Sequence, residues 1–135
     1  MVDPFSHCFI TTLIHDKILT MVNPATTKNN QPIPVSDIPV LPYEDFLEFN
    51  TSLVKDIYAH CVNYFAFRSD DTIRLFCCMA DDAKGTLTVS SSEVNNREIY
   101  PSFTARHLAF NPFEREMHEN LGIRYTDHPW LKPLR

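Results

Sequence analysis

TIRLFCCMADDAKGTLTVS, residues 72–90, decides the fold of this 135-residue chain. Thr72 to Ala80 is a run of apolar and β-branched residues, which is typical of a buried strand. Asp81 to Gly85 has turn composition, with a glycine where a positive φ is needed. Thr86 to Ser90 then alternates polar and apolar residues, as a half-buried strand does. The stretch therefore predicts two antiparallel strands joined by a short turn.

Outward from this pair, the preceding segments predict one more strand and a helix. Cys61 to Phe67 is the strand, and the polar residues Arg68 to Asp71 form its turn. Tyr43 to Tyr58 is predicted as a helix, begun by Pro42 at its first position. Acidic residues suit the positive end of its dipole, and apolar residues recur with a 3.6-residue period: Glu44, Asp45, Phe46, Phe49 or Asn50, Leu53 or Val54, Ile57.

These elements predict an α+β fold. We expect two layers, with a mixed or antiparallel sheet of about four to five strands covered by helices. Phe9 to Leu13 and Ile18 to Val22 predict a small N-terminal hairpin that turns at His15 to Lys17. Residues 23–42 hold five of the ten prolines, so they predict an irregular or extended connector. We expect residues 1–135 to form a single domain that includes this connector.

Bulk properties exclude several classes of protein. The formal charge is −5, from 12 basic and 17 acidic residues, which disfavours nucleic-acid binding. None of the four cysteines falls in a CxxC pair, and the adjacent Cys77 and Cys78 would face opposite sides of a strand. Reduced cysteines acting as small apolar residues suit a reducing cytoplasm. No apolar run approaches the ~20 residues of a membrane span, and the N-terminus lacks signal-peptide features, so we expect a soluble chain.

The C-terminal third predicts a loop and then a second helix. Ser91 to Arg106 is mixed in composition and predicts a loop. Asn111 is expected at the N-cap, Pro112 at the first helical position and Glu114 at N3 of a capping box. Gly122 is the expected stop. An apolar stripe on this helix should pack on the sheet: Phe113, Met117, and Asn120 or Leu121.

Charged residues on the second helix allow two interpretations. Glu114 with His118, and Arg115 with Glu119, are spaced to meet on the helix surface, which would give a solvated charged face. In the other interpretation, Glu114, Arg115 and Glu116 brace the segment from Gly122 to Trp130.

Catalytic and metal sites have weaker support. His107, His118 and His128, with Glu114 and Glu119, supply metal-ligand types, but no HExxH or HxxxH spacing is present. His128 is more simply a hydrogen-bonding residue in a bend before Pro129. Ser90 to Ser92 predict a plain polar strand end or turn, because the chain has no GxSxG motif and only two glycines.

Several motifs of the C-terminal third resemble those of the 30 kDa subunit family of respiratory complex I. They are Tyr100-Pro101-Ser102, Phe113-Glu114-Arg115-Glu116, Leu121-Gly122-Ile123, Tyr125 and His128-Pro129-Trp130-Leu131. Met117 to Leu121 and the ending Trp130 to Arg135 depart from the usual pattern of that family. They look more like the homologous domain at the front of the large subunit of membrane-bound [NiFe]-hydrogenases and formate hydrogenlyase. On that resemblance the chain is expected to be part of a longer protein.

The resemblance implies a non-catalytic, cofactor-free assembly domain of an oxidoreductase complex. Such a domain would dock the large, 49 kDa-like or nickel-iron subunit and the iron–sulfur subunits, which would carry the nickel-iron centre and the clusters. It would lie on the cytoplasmic face of the plasma membrane through these partners. Glu114, Arg115 and Glu116 would brace the tail, and the partner interface would contain His128, Pro129, Trp130 and Leu131. Ordinary core packing is the alternative for Trp130. A free-standing NADH dehydrogenase subunit, an adaptor for another partner and a small histidine-based metalloprotein are the alternative functions.

Overall fold

The computed structural model describes residues 22–134. It contains seven strands, two α-helices and two 3-10 turns within that range. In chain order the strands and helices are β1 (Ala25–Lys28), β2 (Val40–Leu41), α1 (Tyr43–Leu53), β3 (Ala59–Ser69), β4 (Thr72–Asp81), β5 (Thr86–Val94), β6 (Ile99–Pro101), α2 (Asn111–Leu121) and β7 (Arg124–Thr126). The 3-10 turns are Val35–Asp37 and Leu108–Phe110. The hairpin predicted from Phe9 to Val22 falls almost entirely outside the described residues.

The predicted antiparallel meander forms the centre of the main sheet. β3 pairs with β4 and β4 pairs with β5, both antiparallel, in the sheet order β1-β5-β4-β3. Both turns place a residue in the left-handed region, Asp70 at φ 54° and Gly85 at φ 63°. β5 continues to Val94, so the loop predicted from Ser91 begins four residues too early.

The proline-rich connector is more ordered than its composition predicts. β1 pairs antiparallel with the first half of β5, and β2 pairs parallel with Ser91 and Ser92 of the same strand. Two short extended segments therefore complete a five-stranded sheet along one edge of β5. Proline disfavours helix but tolerates an edge strand, which reconciles the composition with the pairing.

Ser90, Ser91 and Ser92 are buried within β5, and the prediction of a polar strand end or turn was wrong. Ser90 Oγ accepts a hydrogen bond from Asn50 Nδ2 of α1 at 3.0 Å. Ser91 Oγ donates to the Pro39 carbonyl at 2.8 Å, and Ser92 Oγ donates to the Leu41 carbonyl at 2.8 Å. The hydroxyls therefore fasten α1 and the connector to the sheet.

Helix α1 ends at Leu53, five residues before the predicted end at Tyr58. Lys55 N donates to Ser52 O and Asp56 N to Leu53 O, so tighter bonds replace the α-helical pattern. Pro42 is the N-cap residue, one place before its predicted position. Ile57, predicted on the apolar stripe, is 88% exposed because it lies beyond the helix.

Both helices lie on one face of the sheet and enclose a single hydrophobic core. Its helix side and sheet side are lined by Phe46, Phe49, Leu53, Phe110, Met117, Tyr64, Ile73, Leu75, Cys77, Met79 and Val94. The predicted stripe of α2 meets β3, with Met117 buried and Phe113 and Leu121 half-buried. The arrangement is the predicted two-layer α+β fold.

The opposite face of the sheet carries a row of three aromatic rings. Phe76 is stacked between Phe65 at 5.5 Å and Phe67 at 5.6 Å, and the Arg74 guanidinium lies 4.9 Å from its ring centroid. Phe76 is buried by these neighbours, whereas Phe65 and Phe67 remain 44% exposed.

A second, two-stranded sheet brackets α2. β6 and β7 pair in parallel, with Tyr100 opposite Tyr125, and both rings enter the core. Tyr43 of α1 donates to the Pro101 carbonyl at 2.6 Å and fixes β6 from the other side. The loop prediction for Ser91 to Arg106 missed β6, because three residues give too short a pattern to identify a strand.

Candidate functional site

Helix α2 positions the charged residues of the C-terminal third. A 3-10 turn leads into it, and His107 Nδ1 accepts from Ala109 N at 3.2 Å to cap that turn. Asn111 is the first helical residue and its side chain makes no capping bond; instead its Oδ1 accepts from Arg115 Nη1 at 3.5 Å. Gly122 ends the helix in the left-handed region at φ 72°, as predicted.

Glu114 is fully buried, so neither the predicted capping box nor a surface pair with His118 exists. Its carboxylate accepts from Ser102 Oγ and Thr104 Oγ1 at 2.6 Å each. The backbone N–H groups of Phe103 and Thr104 donate to it at 2.7 and 3.1 Å. Four donors from the segment after β6 therefore surround one carboxylate of α2, and they fasten that segment to the helix.

Burial controls the protonation of Glu114. Loss of water raises the pKa of its carboxyl above the ordinary value of 4.5, and the four hydrogen bonds oppose that shift in part. The same buried carboxylate contributes to the raised pKa values of Tyr43, Tyr64 and Tyr125, although burial is the larger cause for each.

His128 approaches the carboxylate of Glu114 from the tail. Its Nδ1 accepts from Trp130 N at 3.1 Å, and its Nε2 lies 3.7 Å from Glu114 Oε2. Burial of the ring, with the nearby positive charges of Arg115 and His118, lowers the pKa of His128. The imidazole is therefore neutral at neutral pH, and the 3.7 Å contact is too long for a hydrogen bond.

Arg115 holds the chain that follows His128. Its Nε donates to the Lys132 carbonyl at 2.6 Å, and its Nη2 donates to the Pro133 carbonyl at 2.7 Å. The same guanidinium lies 4.9 Å from the Trp130 ring centroid, within range of a cation–π interaction. One side chain thus contacts three residues of the tail.

Glu119 adds a contact that the sequence did not indicate. It accepts from Leu134 N at 3.1 Å, so Glu119 and Arg115 both face the tail instead of forming the predicted surface pair. His118 Nδ1 lies 2.6 Å from the Ile123 carbonyl, just beyond the helix end. Glu116 lies elsewhere on α2 and lines a cavity of about 280 Å³ beside β3, together with Asn63 and Phe65.

The four tail residues differ in exposure. Leu131 is half-buried and packs against the core, whereas Pro129 is exposed. Trp130 is 55% exposed, so it is not a core residue. The tail is therefore fastened at both ends of a displayed tryptophan, by His128 before it and by Arg115 and Leu131 after it.

Comparison with known families shows where this arrangement belongs. The family model described as the respiratory-chain NADH dehydrogenase 30 kDa subunit matches residues 41–135. The chain belongs to this family. The match begins in β2 and includes the central meander, both helices and the Glu114 and Arg115 contacts, but not β1. No curated protein matches the chain.

Membership of the 30 kDa subunit family makes the chain a relative of a component of an oxidoreductase complex. Within residues 22–134, no helix has both the length and the hydropathy needed to cross a bilayer. The finer resemblance to a hydrogenase-fused domain concerns only part of this family and is taken up below.

The histidines of the rival metal-site hypothesis are not brought together in this family member. His107, His118 and His128 each make a separate local contact, with Ala109 N, Ile123 O and Trp130 N. Among the described residues, no group of three or more His, Cys, Asp or Glu side chains has a metal-binding arrangement. The local backbone contacts explain why histidine stands at these positions.

Ser102 and Thr104 are functional partners that the sequence did not single out. Ser102 was quoted only as part of Tyr100-Pro101-Ser102, and a hydroxyl gives no sign of its distant partner. Ser102 Oγ also accepts from Ala105 N at 3.1 Å, which shapes the turn that presents all four donors to Glu114. The spacing of hydroxyls around an extended Pro101 is the only sequence signal for this site.

Proposed function

We propose that this chain is a non-catalytic assembly domain that presents its tail to a partner subunit of an oxidoreductase complex. The observation that carries the proposal is the display of Trp130, which is 55% exposed although Arg115 and His128 hold the surrounding backbone. A tail without a binding role gains nothing from an exposed indole that is fixed in place.

The contacts of Arg115 reduce the cost of binding. A free tail would lose conformational entropy when it docks, whereas a tail already held by two carbonyl contacts has lost part of it. Exposed tryptophans at interfaces commonly contribute a large share of the binding energy. The proposed interface contains His128, Pro129, Trp130 and Leu131, and Leu131 anchors it to the core of this domain.

Bracing of the tail is proposed for Glu114, Arg115 and Glu116. The contacts of Arg115 support its part directly, and Glu114 supports the tail indirectly by organising the segment on which β7 depends. Ser102 N donates to Thr126 O at 3.2 Å, so the residues that surround Glu114 also fix the strand from which the tail departs. For Glu116 the proposal rests on the family resemblance alone.

The partner is proposed to be a large, 49 kDa-like subunit, in the form found in membrane-bound [NiFe]-hydrogenases or formate hydrogenlyase. The departures from the complex I pattern at Met117 to Leu121 and at Trp130 favour that form. The nickel-iron centre and the iron–sulfur clusters would belong to partner domains or subunits. The complex would bring this domain to the inner face of the plasma membrane. A free-standing NADH dehydrogenase subunit is the alternative within the same family.

Co-purification of the full chain with the large subunit encoded beside it tests the docking proposal. Trp130→Ala should weaken capture about tenfold or more. Tyr58→Ala is the matched control, because Tyr58 is an aromatic residue of nearly equal exposure, 54%, far from the tail. Equal capture of both variants would overturn the role of Trp130.

Two further observations separate the forms of the proposal. An open reading frame that continues past Arg135 into paired CxxC motifs would support the hydrogenase form, and a stop codon there would support the separate subunit. The purified chain alone should show no hydrogen- or NADH-dependent turnover. Such turnover would contradict a purely assembling role.

A further inference from the structure

Two thiols meet on the core face of the main sheet. Cys61 of β3 lies opposite Met79, and Cys77 of β4 lies opposite Tyr64, so the cysteines are diagonal neighbours across one strand pair. A register shift between Cys61 and Asn63 disturbs the regular pairing at this point. Cys77 is fully buried, whereas Cys61 is half-buried and therefore reachable from solvent.

The two side chains are hydrogen-bonded to each other. That bond lowers the pKa of the Cys61 thiol, with a smaller contribution from the Asn63 backbone N–H, although burial acts in the opposite direction. Burial raises the pKa of Cys77 well above its usual range, and the neighbouring Cys61 raises it further. Cys77 is consequently the S–H donor, and Cys61 is the sulfur that holds negative charge.

We propose that Cys61 and Cys77 form a reversible oxidation site, with Cys61 as the sulfur attacked by a hydroperoxide and Cys77 as the resolving thiol. The Cys61 thiolate displaces hydroxide from hydrogen peroxide and becomes a sulfenic acid. Cys77 then attacks the Cys61 sulfur, and the S–O bond breaks as the S–S bond forms. The thiol proton and the hydroxyl leave as water, so two thiols and one peroxide give one disulfide and two waters.

The arrangement favours the second step. The sulfurs are already within hydrogen-bonding contact and need to close to about 2.05 Å. Cys77 cannot escape to solvent, because it is enclosed by the core. The bond would join β3 to β4 at the end of the strand pair away from the Asp70 turn.

Cys78 provides an internal control one residue away. It faces the opposite side of the sheet and is half-buried like Cys61. Burial raises its pKa, so similar exposure comes with less thiolate. A difference in reactivity between Cys61 and Cys78 therefore reports the contact with Cys77 more than access.

Mass spectrometry of the peroxide-treated full chain, with Cys8→Ser to remove one competing thiol, tests the proposal. We expect loss of two hydrogen atoms and a single cross-linked peptide pair joining Cys61 to Cys77, reversed by dithiothreitol. Cys78→Ser should leave this product unchanged and Cys77→Ser should abolish it. A linkage through Cys78, or an unlinked chain after Cys61 is oxidised, would overturn the pairing.

Alkylation kinetics provide a test that needs no substitution at the paired cysteines. At neutral pH iodoacetamide should modify Cys61 about tenfold faster than Cys78, because only the thiolate reacts. Equal rates would show that Cys77 does not activate Cys61 and would contradict the proposal. This measurement keeps the test decisive if Cys77→Ser fails to fold.

Discussion

The guanidinium of Arg115 lies 4.9 Å from the ring centroid of Trp130 and donates to the carbonyl oxygens of Lys132 and Pro133, which follow that ring in the chain. A planar guanidinium can make these contacts together, whereas an ammonium group cannot reproduce the paired geometry. The position of the tail therefore depends on arginine chemistry and not on positive charge alone.

Arg115→Lys should loosen the tail without unfolding the domain. Trp130 is the only tryptophan, so its fluorescence reports the tail alone. Acrylamide should quench it more strongly in the variant, with a change in unfolding free energy of no more than about 1 kcal/mol. Arg68→Lys, which alters an arginine bonded to the Leu121 carbonyl, should leave quenching unchanged. Identical quenching in wild type and Arg115→Lys would refute the proposed fastening.

Glu114→Gln should destabilise the fold by about 2–3 kcal/mol, because an amide NH₂ would face donors where the carboxylate accepts. Ser102→Ala should cost about 1 kcal/mol, since it removes one of the four bonds. Glu44→Gln is the control at an exposed first-turn position and should cost less than about 1 kcal/mol. Urea unfolding followed by circular dichroism measures all three. A loss for Glu114→Gln as small as that of the control would show that the four bonds are not stabilising.

The stability of the wild type relative to Glu114→Gln should depend on pH in a defined direction. The folded state raises the pKa of Glu114, so between that raised value and the ordinary 4.5 the folded protein binds more protons than the unfolded chain. The contribution of Glu114 to stability is therefore fully present below pH 4.5 and is lost as pH rises through the raised pKa. His128 has a lowered pKa and acts in the opposite direction below its ordinary 6.5, which is why the difference from Glu114→Gln must be measured. A difference that does not change from pH 4 to 7 would contradict the raised pKa.

Substitutions at Gly122 should reveal a backbone effect free of steric clash. An added Cβ would meet only Asn96 Cβ, at 3.9 Å, so the cost comes from the left-handed conformation at φ 72°. Gly122→Ala should destabilise by about 1 kcal/mol, and Gly122→Asn by less, because asparagine tolerates this region better. Thermal unfolding of the two variants compares them directly. If Asn destabilised as much as Ala, another cause would have to be sought.

The central meander could be predicted because its signals are local. Residues 72–90 contain two strand patterns and the Gly85 turn, and the observed strands contain both predicted segments. The helix end at Gly122 was predictable for the same reason, since a glycine in the left-handed region is a property of a single residue. Such features need no knowledge of the rest of the fold.

Features that depend on distant partners could not be predicted in this way. Glu114 has the spacing of an exposed helical residue, and only the fold brings Ser102 and Thr104 to its carboxylate. The end of α1 was misplaced because the apolar Ile57 fits the helical period but lies beyond the last helical turn. β1 and β2 are strands only because β5 offers them an edge.

The three serines of β5 solve a problem of hydrogen-bond stoichiometry. Prolines deprive the connector of amide hydrogens but leave its carbonyl oxygens, so the connector has a surplus of acceptors. Ser91 N, Ser91 Oγ and Ser92 Oγ are three donors that meet the carbonyls of Pro39 and Leu41, and Arg74 adds a fourth at Ile38. Proline content in one segment and hydroxyl content in a strand some fifty residues later are thus two halves of one requirement. Replacement of the hydroxyls by valine would improve the strand and strand the acceptors, so the two segments are constrained to change together.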